Sequence, residues 1–315
     1  MRAVPLRPAF AALLMLVLAG CSTLRPQAQE APEAALPGSL PSVVRLAGVP
    51  FFPQQEYQCG PAALATTLSY SGVAVSPQDL APQVYTPALK GSLQLDLIGS
   101  ARRHDRIPYR IAPTRAALFE ELAGGNPVLV LQEVGPLFST EWHYAVVVGY
   151  DRTLGEVILQ SGPERALRMT WSDFDRSWSK GDRWGLVTLP PERLPASASQ
   201  RDYLRQVAAL EPVRPALAHA AYRASLERWP DSLGALLGLG NLAYARHDPE
   251  LAASYFQQAA NAHPDSGDAF NNLAQTELAL GRKAQARTAI DKALALGGPH
   301  LATYRKTQAE IDAAP

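Results

Sequence analysis

The sequence predicts an α+β domain followed by an all-α repeat domain. Two observations carry this. Between residues 45 and 190 an early helix precedes a run of short apolar strands, and beyond residue 200 the pattern is helical and repeats itself at a fixed spacing. At 315 residues the chain has room for two ordinary domains. Hydrophobic residues make up 47% and charged residues 18%, enough apolar material for sizeable cores. With 29 basic and 29 acidic side chains, no positive excess is available to meet a nucleic-acid backbone.

At the start of the chain, Arg2 and Arg7 flank the apolar run PAFAALLMLVLAG (8–20), which has signal-peptide length and is short for a membrane span. The run ends in Leu18-Ala19-Gly20-Cys21, followed by Ser22. This resembles the bacterial lipoprotein signal, which implies cleavage before Cys21 and lipidation of its thiol. Ser22, where an Asp would redirect the protein, implies anchoring at the outer membrane, facing the periplasm. Processing would remove Arg2 and Arg7, leaving 27 of the 29 basic side chains against 29 acidic ones. It would also leave Cys59 as the one free thiol in a compartment that favours disulfides. Residues 21–44, rich in Pro, Ala and Ser without apolar period, read as an unstructured tether with a span of roughly 25–30 Å.

The stretch VRLAGVPFF (44–52) leads into a helix opening at Cys59. Pro61 suits a first turn, Ala62 to Ala65 propagate the helix and Gly72 stops it. The thiol then faces unpaired N–H groups and the positive end of the helix dipole, which favour a thiolate and predict a lowered pKa. ALFEELAGGNPVLVLQEV (117–134) reads as a helix, a Gly-Gly stop and a buried strand. HYAVVVGYD (143–151), EVILQSG (156–162) and WGLVTL (184–189) read as further strands. Asp173, Asp175 and Asp182 read as surface-loop charges around the packed rings of Trp171, Trp178 and Trp184. PPERLPASASQ (190–200) breaks the pattern, so we expect a domain at 45–190, a linker at 191–200 and a second domain at 201–315.

In that second part the segments starting at Trp229 and His263 repeat each other. Pro230 matches Pro264, Leu239 matches Leu273, Ala252 matches Ala286, Phe256 matches Ile290 and Ala259 matches Ala293, all at an offset of 34. A weaker copy precedes them, with Tyr222 standing to Phe256 as Phe256 stands to Ile290. The pattern resembles tetratricopeptide repeats, with 299–311 as a capping helix. Such an array offers a concave surface for an extended peptide or a protein partner.

A thiol nucleophile needs an imidazole. Four of the six histidines (His219, His247, His263 and His300) fall in the repeats, and His104 sits in a charged segment. His143 opens an apolar strand just after a loop, where active-site residues commonly emerge. No Cys/His cluster has zinc spacing and no glycine-rich phosphate loop occurs, so no metal or cofactor is expected.

The segment VPFFPQQEYQCGPAALATTL around Cys59, followed well downstream by HYAVVVGYD with His143 at its head, resembles the papain-like peptidases that cleave double-glycine leaders of bacteriocins. The resemblance covers roughly residues 45–190 and implies a papain-like α+β fold. It implies Cys59 as nucleophile, His143 as general base and acid, and Gln54, or its neighbour Gln55, as oxyanion donor. Where that family has an Asp to orient the imidazole, this chain has Gln160 and Ser161, both neutral. The expected function is that of an envelope cysteine peptidase acting on a peptide or protein amide bond. The alternatives are a scaffold whose peptidase domain has decayed, or an amide-transfer enzyme using the same thiol.

Overall fold

The computed structural model describes residues 36–54, 57–135 and 140–315. Cys21, the apolar run before it, most of the expected tether and Gln55 lie outside the described residues. Among the described residues, no helix is long and apolar enough to cross a membrane.

The first half is built on an antiparallel sheet. In chain order its elements are β1 (Val43–Arg45), α1 (Cys59–Tyr70), α2 (Pro77–Val84), β2 (Tyr85–Thr86), β3 (Gly91–Ser92) and α3 (Gln94–Arg103). There follow β4 (Ile107–Arg110), α4 (Arg115–Ala123), β5 (Val128–Glu133), β6 (Trp142–Asp151), β7 (Glu156–Ser161), β8 (Glu164–Thr170), α5 (Trp171–Lys180) and β9 (Gly185–Leu189). The sheet order is β4-β9-β5-β6-β7-β8, β1 pairs with the far end of β6, and β2 and β3 form a separate hairpin. Leu129, Leu131, Tyr144 and Val146 share one core cluster with residues of α1, α2 and α3. The interleaved Val128, Val130, Ala145 and Val147 are buried too. Both faces of the sheet are therefore covered, which is why VLVL and AVVV read as unbroken apolar runs.

An aromatic cluster forms around Tyr150. Phe119 of α4 stacks on its ring at 4.1 Å, Trp171 meets Phe119 edge-on, and Phe174 and Trp178 are fully buried. Here the structure corrects the sequence reading: the stretch with Asp173 and Asp175 is the helix α5 rather than a loop. Thr170 caps it by accepting from the Asp173 N–H, and Trp171, Phe174 and Trp178 recur at helical spacing. Asp175 pairs with Arg183 at 2.8 Å. The strand β8 has no counterpart in the reading either, because ERALRMT is a charged, largely exposed edge without an apolar run.

The helical half comprises α6 (Gln200–Ala208), α7 (Pro215–Arg228), α8 (Leu233–Ala245), α9 (Pro249–Ala262), α10 (Gly267–Ala279), α11 (Lys283–Leu296) and α12 (Leu301–Ala313). Of the residues matched between the repeats, Leu239, Leu273, Ala252, Ala286, Phe256, Ile290, Ala259 and Ala293 are all buried in its core, while Pro230 and Pro264 are exposed. The caps repeat as well, Ser232 accepting from the Ala235 N–H and Ser266 from the Ala269 N–H.

The segment between the halves lacks periodicity but is tied down. Glu121, fully buried on α4, accepts from the N–H groups of Ala196 and Ser197, from the Ser197 hydroxyl and from Asn126 Nδ2, at 2.6–3.2 Å. Arg193 donates to Asn126 Oδ1 at 2.9 Å. Side-chain acceptors thus satisfy backbone donors that no regular element pairs. The β4 edge is closed by α6: the Arg110 N–H donates to Gln206 Oε1 at 2.8 Å, and Gln206 Nε2 donates back to the Arg110 carbonyl at 3.3 Å. A glutamine here imitates a neighbouring strand.

Candidate active site

Cys59 stands at the first position of α1, half-buried. Gln58 before it makes no side-chain cap, and Pro61 has no N–H, so the N–H groups of Cys59 and Gly60 are left to turn on the sulfur. Gly60 is dictated by packing: a Cβ there would lie 2.2 Å from Ser92 Oγ in β3. That contact seats the helix start against the β2–β3 hairpin.

The other side of the site is made by a parting of strands. β7 pairs with β6 only as far as Val146 opposite Gln160, and Ser161 already turns back onto Glu164 of β8. Leu131, opposite Tyr144, gives its N–H to the Trp184 carbonyl, away from β6. Tyr144 therefore directs its own N–H and carbonyl away from β5, into the gap that β7 leaves. Both groups are used there. The Tyr144 N–H favours the charged form of the Cys59 sulfur, and the Tyr144 carbonyl accepts from Gln54 Nε2 at 3.2 Å. Gln54 is held from behind, its backbone N–H donating to the Gly162 carbonyl at 3.3 Å. The main chain of one residue next to His143 thus gathers Cys59 and Gln54.

His143 Nε2 lies 2.9 Å from Ser161 Oγ. Gln160, the other candidate at this position, does not meet the imidazole. Its Nε2 donates to the Val49 carbonyl at 3.3 Å and its Oε1 is buried without a hydrogen-bond partner among the described residues. Successive residues of a strand point to opposite faces, so Gln160 and Ser161 cannot both reach the histidine.

The electrostatics correct one expectation. Burial pushes the Cys59 thiol up from its ordinary value of 9.0; the N–H groups of Tyr144, Gly60 and Cys59 pull it down without prevailing, and the Glu141 carboxylate adds to the rise. Burial likewise lowers His143 below 6.5, with Glu141 opposing. The helix start acts as expected, but desolvation outweighs it, and the serine on the imidazole contributes no charge to offset that burial. The pair therefore rests as neutral thiol and neutral imidazole at neutral pH.

Three contributors escape a linear reading. Ser92 and Tyr144 act through packing and main chain, which leave no side-chain signature. Glu141 lies just before His143 and could have been noticed as the nearest charge. Among the described residues, no three His, Cys, Asp or Glu side chains are grouped as metal ligands.

Residues 46–181 match the model of the peptidase C39-like family, and 208–260 and 237–300 match that of the tetratricopeptide repeat. A Bacillus anthracis protein described as a C39-like peptidase is 16% identical, over 47% of this chain and 98% of its own, with a TM-score of 0.41. The peptidase domain of Streptococcus ComA, a bifunctional ABC transporter of a quorum-sensing pathway, is 21% identical over 45% of this chain and 98% of its own, with a TM-score of 0.37. A double-glycine motif protease from an AMS/PCAT transporter, solved with its leader peptide, is 20% identical over 46% of this chain and 94% of its own, with a TM-score of 0.36. No curated protein matches the chain. The chain carries a peptidase C39-like domain followed by tetratricopeptide repeats.

Proposed function

We propose that the protein is a cysteine peptidase of the bacterial envelope, anchored by lipid on Cys21 at the outer membrane and facing the periplasm. In this reading its repeats recruit the substrate or a protein partner. The observation that carries the catalytic part is the convergence on Tyr144: its N–H favouring the charged Cys59 sulfur and its carbonyl on Gln54, beside a histidine held by Ser161. The address rests on LAGC-Ser22 alone.

The chemistry follows from the resting protonation. An imidazole that donates Nε2–H to Ser161 Oγ keeps a lone pair on Nδ1. That lone pair takes the proton from the Cys59 thiol as the sulfur attacks the substrate carbonyl carbon. The carbonyl oxygen, now negative, accepts from Gln54 Nε2 and from the Cys59 N–H; a donor of this kind contributes about 3–4 kcal/mol to the transition state. The C–N bond then breaks, and the imidazolium returns its proton to the leaving amine. Water, deprotonated by the same imidazole, attacks the thioester and frees the acid and the thiol.

The protein starting at Ser22 is incubated with a mixed peptide digest and read by mass spectrometry. New peptide termini are expected with the wild-type protein and not with Cys59→Ala, and Gln54→Ala should lower kcat by roughly 10²–10³. Equal spectra for wild type and Cys59→Ala would sink the enzyme reading and leave the scaffold that binds through its repeats. Products carrying an added amine would instead mark amide transfer. For the address, incorporation of labelled palmitate into the wild type and its loss in Cys21→Ala is the expected result; an unlabelled protein overturns it.

A further inference from the structure

The first strand of the folded chain, β1, borders a basic surface that the catalytic chemistry does not use. Arg45 stands opposite Gly149, Gly149 opposite Ile158 and Ile158 opposite Arg168, so one row across four strands ends in an arginine on either side. Residues paired directly across strands share a face, and Gly149 has no side chain to come between. The hollow along this row is a pocket of about 300 Å³, to which Arg165 adds a third guanidinium, lying over the Phe51 ring at 5.3 Å. The carboxylates of these strands leave two of the three unbalanced. Glu156 pairs with Arg168 at 2.6 Å, Asp151 accepts from the N–H groups of Thr153 and Leu154 in its own turn, and Glu164 stands opposite Ser161, outside the lining. Arg45 and Arg165 have no carboxylate partner among the described residues.

Large apolar side chains stand exposed at the same end of the sheet. Val43, two residues before Arg45 and so on its face of β1, is 44% exposed, and Leu154, in the turn joining β6 to β7, is 63% exposed. That turn is fastened to the segment leading in from Cys21: the Arg152 N–H donates to the Ser42 carbonyl and Arg152 Nη1 to the Leu40 carbonyl, both at 2.8 Å. A ligand fitting this place brings an anion for the guanidinium groups and an apolar portion for Val43 and Leu154. A phospholipid at a bilayer surface brings both, since arginine takes a phosphate bidentately and aliphatic side chains beside basic ones settle at the headgroup boundary. A free phosphate lacks the apolar portion. An extended peptide needs partners for its main chain, and Gln160, the one side-chain amide in the lining, is turned inward, its Nε2 on the Val49 carbonyl and its Oε1 closed to solvent. Arg45 follows Cys21 by 24 residues, so a lipid on Cys21 would keep the pocket within roughly 25–30 Å of the bilayer.

We propose that this pocket binds the headgroup of an anionic phospholipid in the membrane that carries the tether, with Val43 and Leu154 at the bilayer boundary. The tether rests on the lipoprotein reading; headgroup binding does not. The test floats the protein starting at Ser22, which lacks the anchor, with vesicles of phosphatidylcholine alone and of phosphatidylcholine with phosphatidylglycerol.

Binding to the anionic vesicles is expected to be about thirtyfold tighter than to the neutral ones. In Arg45→Ala with Arg165→Ala, its fold confirmed by circular dichroism, that preference should fall below about threefold. Arg246→Ala with Arg305→Ala removes two exposed arginines from the repeats and should keep it above about tenfold. Equal binding to both vesicles, or equal loss in the two double variants, overturns the proposal. Dioctanoyl phosphatidylglycerol should release the protein from the anionic vesicles, and inorganic phosphate at the same concentration should not. Equal release by phosphate overturns the lipid assignment in favour of a bare anion, and release by the peptide Ala-Leu-Ala-Glu-Leu-Ala overturns it in favour of a peptide. If palmitate fails to label the wild type while the vesicle preference stands, the headgroup site survives and the anchor falls. A labelled protein without that preference keeps the anchor and removes the site.

Discussion

In the repeats, Phe256 of α9 stands on Gly240 of α8, where a Cβ would lie 2.3 Å from its ring; in the sheet domain, Cys59 is seated against Tyr144, far along the chain. The first arrangement joins neighbouring helices, and the next repeat carries Ala274 at the position of Gly240 and Ile290 at that of Phe256. The second happens once, and needs a hairpin, a helix start and two parting strands to meet. Close packing by a glycine serves both, but in the array it seats one helix on the next and in the sheet domain it seats the start of α1, where Cys59 stands.

Two glycine substitutions test this contrast most sharply. In Gly60→Ala the new Cβ would meet Ser92 Oγ, so the start of α1 must shift. The expected outcome is a loss of about 1–3 kcal/mol in denaturant unfolding and near-complete loss of peptide cleavage. Gly240→Ala should cost a similar amount of stability and leave cleavage of a short peptide unchanged. If it also abolishes cleavage, the halves are not separable, and the Glu121 clamp on Ala196 and Ser197 is the connection to examine.

A smaller effect is expected at the imidazole. Ser161→Ala should lower kcat/KM by roughly ten- to a hundredfold, because the ring loses the partner that holds its orientation. Ser161→Asp should restore activity and, by adding a negative charge, raise the His143 pKa, moving the acid limb of the pH profile upward. Gln160→Ala should leave that limb in place. A shift with Gln160→Ala and none with Ser161→Asp would reverse the assignment.

The smallest effect concerns pH. In the proposed mechanism, protonation of His143 ends activity on the acid side and ionisation of Cys59 on the alkaline side. Since burial lowers the first and raises the second, the profile of kcat/KM should be flat from below 6.5 to above 9.0. Glu141 raises both groups, so Glu141→Gln should move both limbs modestly to lower pH; limbs moving apart would contradict the action of that carboxylate on both.

Much of this molecule was legible because local rules wrote it. Pro61, the alanines after it and Gly72 bound α1, and Pro230 and Pro264 mark the same place in successive repeats. The strands from 128 to 151 showed as apolar runs because both of their faces are covered. What stayed hidden had no local signature. β8 is an exposed edge paired only through β7, and α5 carries aromatic residues that composition alone does not assign to a helix. The orienter was narrowed to Gln160 or Ser161 and no further, since adjacent strand residues differ only in the face they show, and packing chooses the face.

The sequence by itself determined the two-part organisation and the helix that begins at the cysteine, because propensity, capping and periodicity act over a few residues, while the nucleophile, histidine and glutamine candidates came with the family resemblance of the segments around Cys59 and His143. The tertiary structure decided that Ser161 rather than Gln160 meets His143, that a main-chain unit at Tyr144 gathers the site, and that burial keeps the thiol protonated. Those outcomes depend on which strands part, what covers them and how much water is excluded, and these are properties of distant segments brought together.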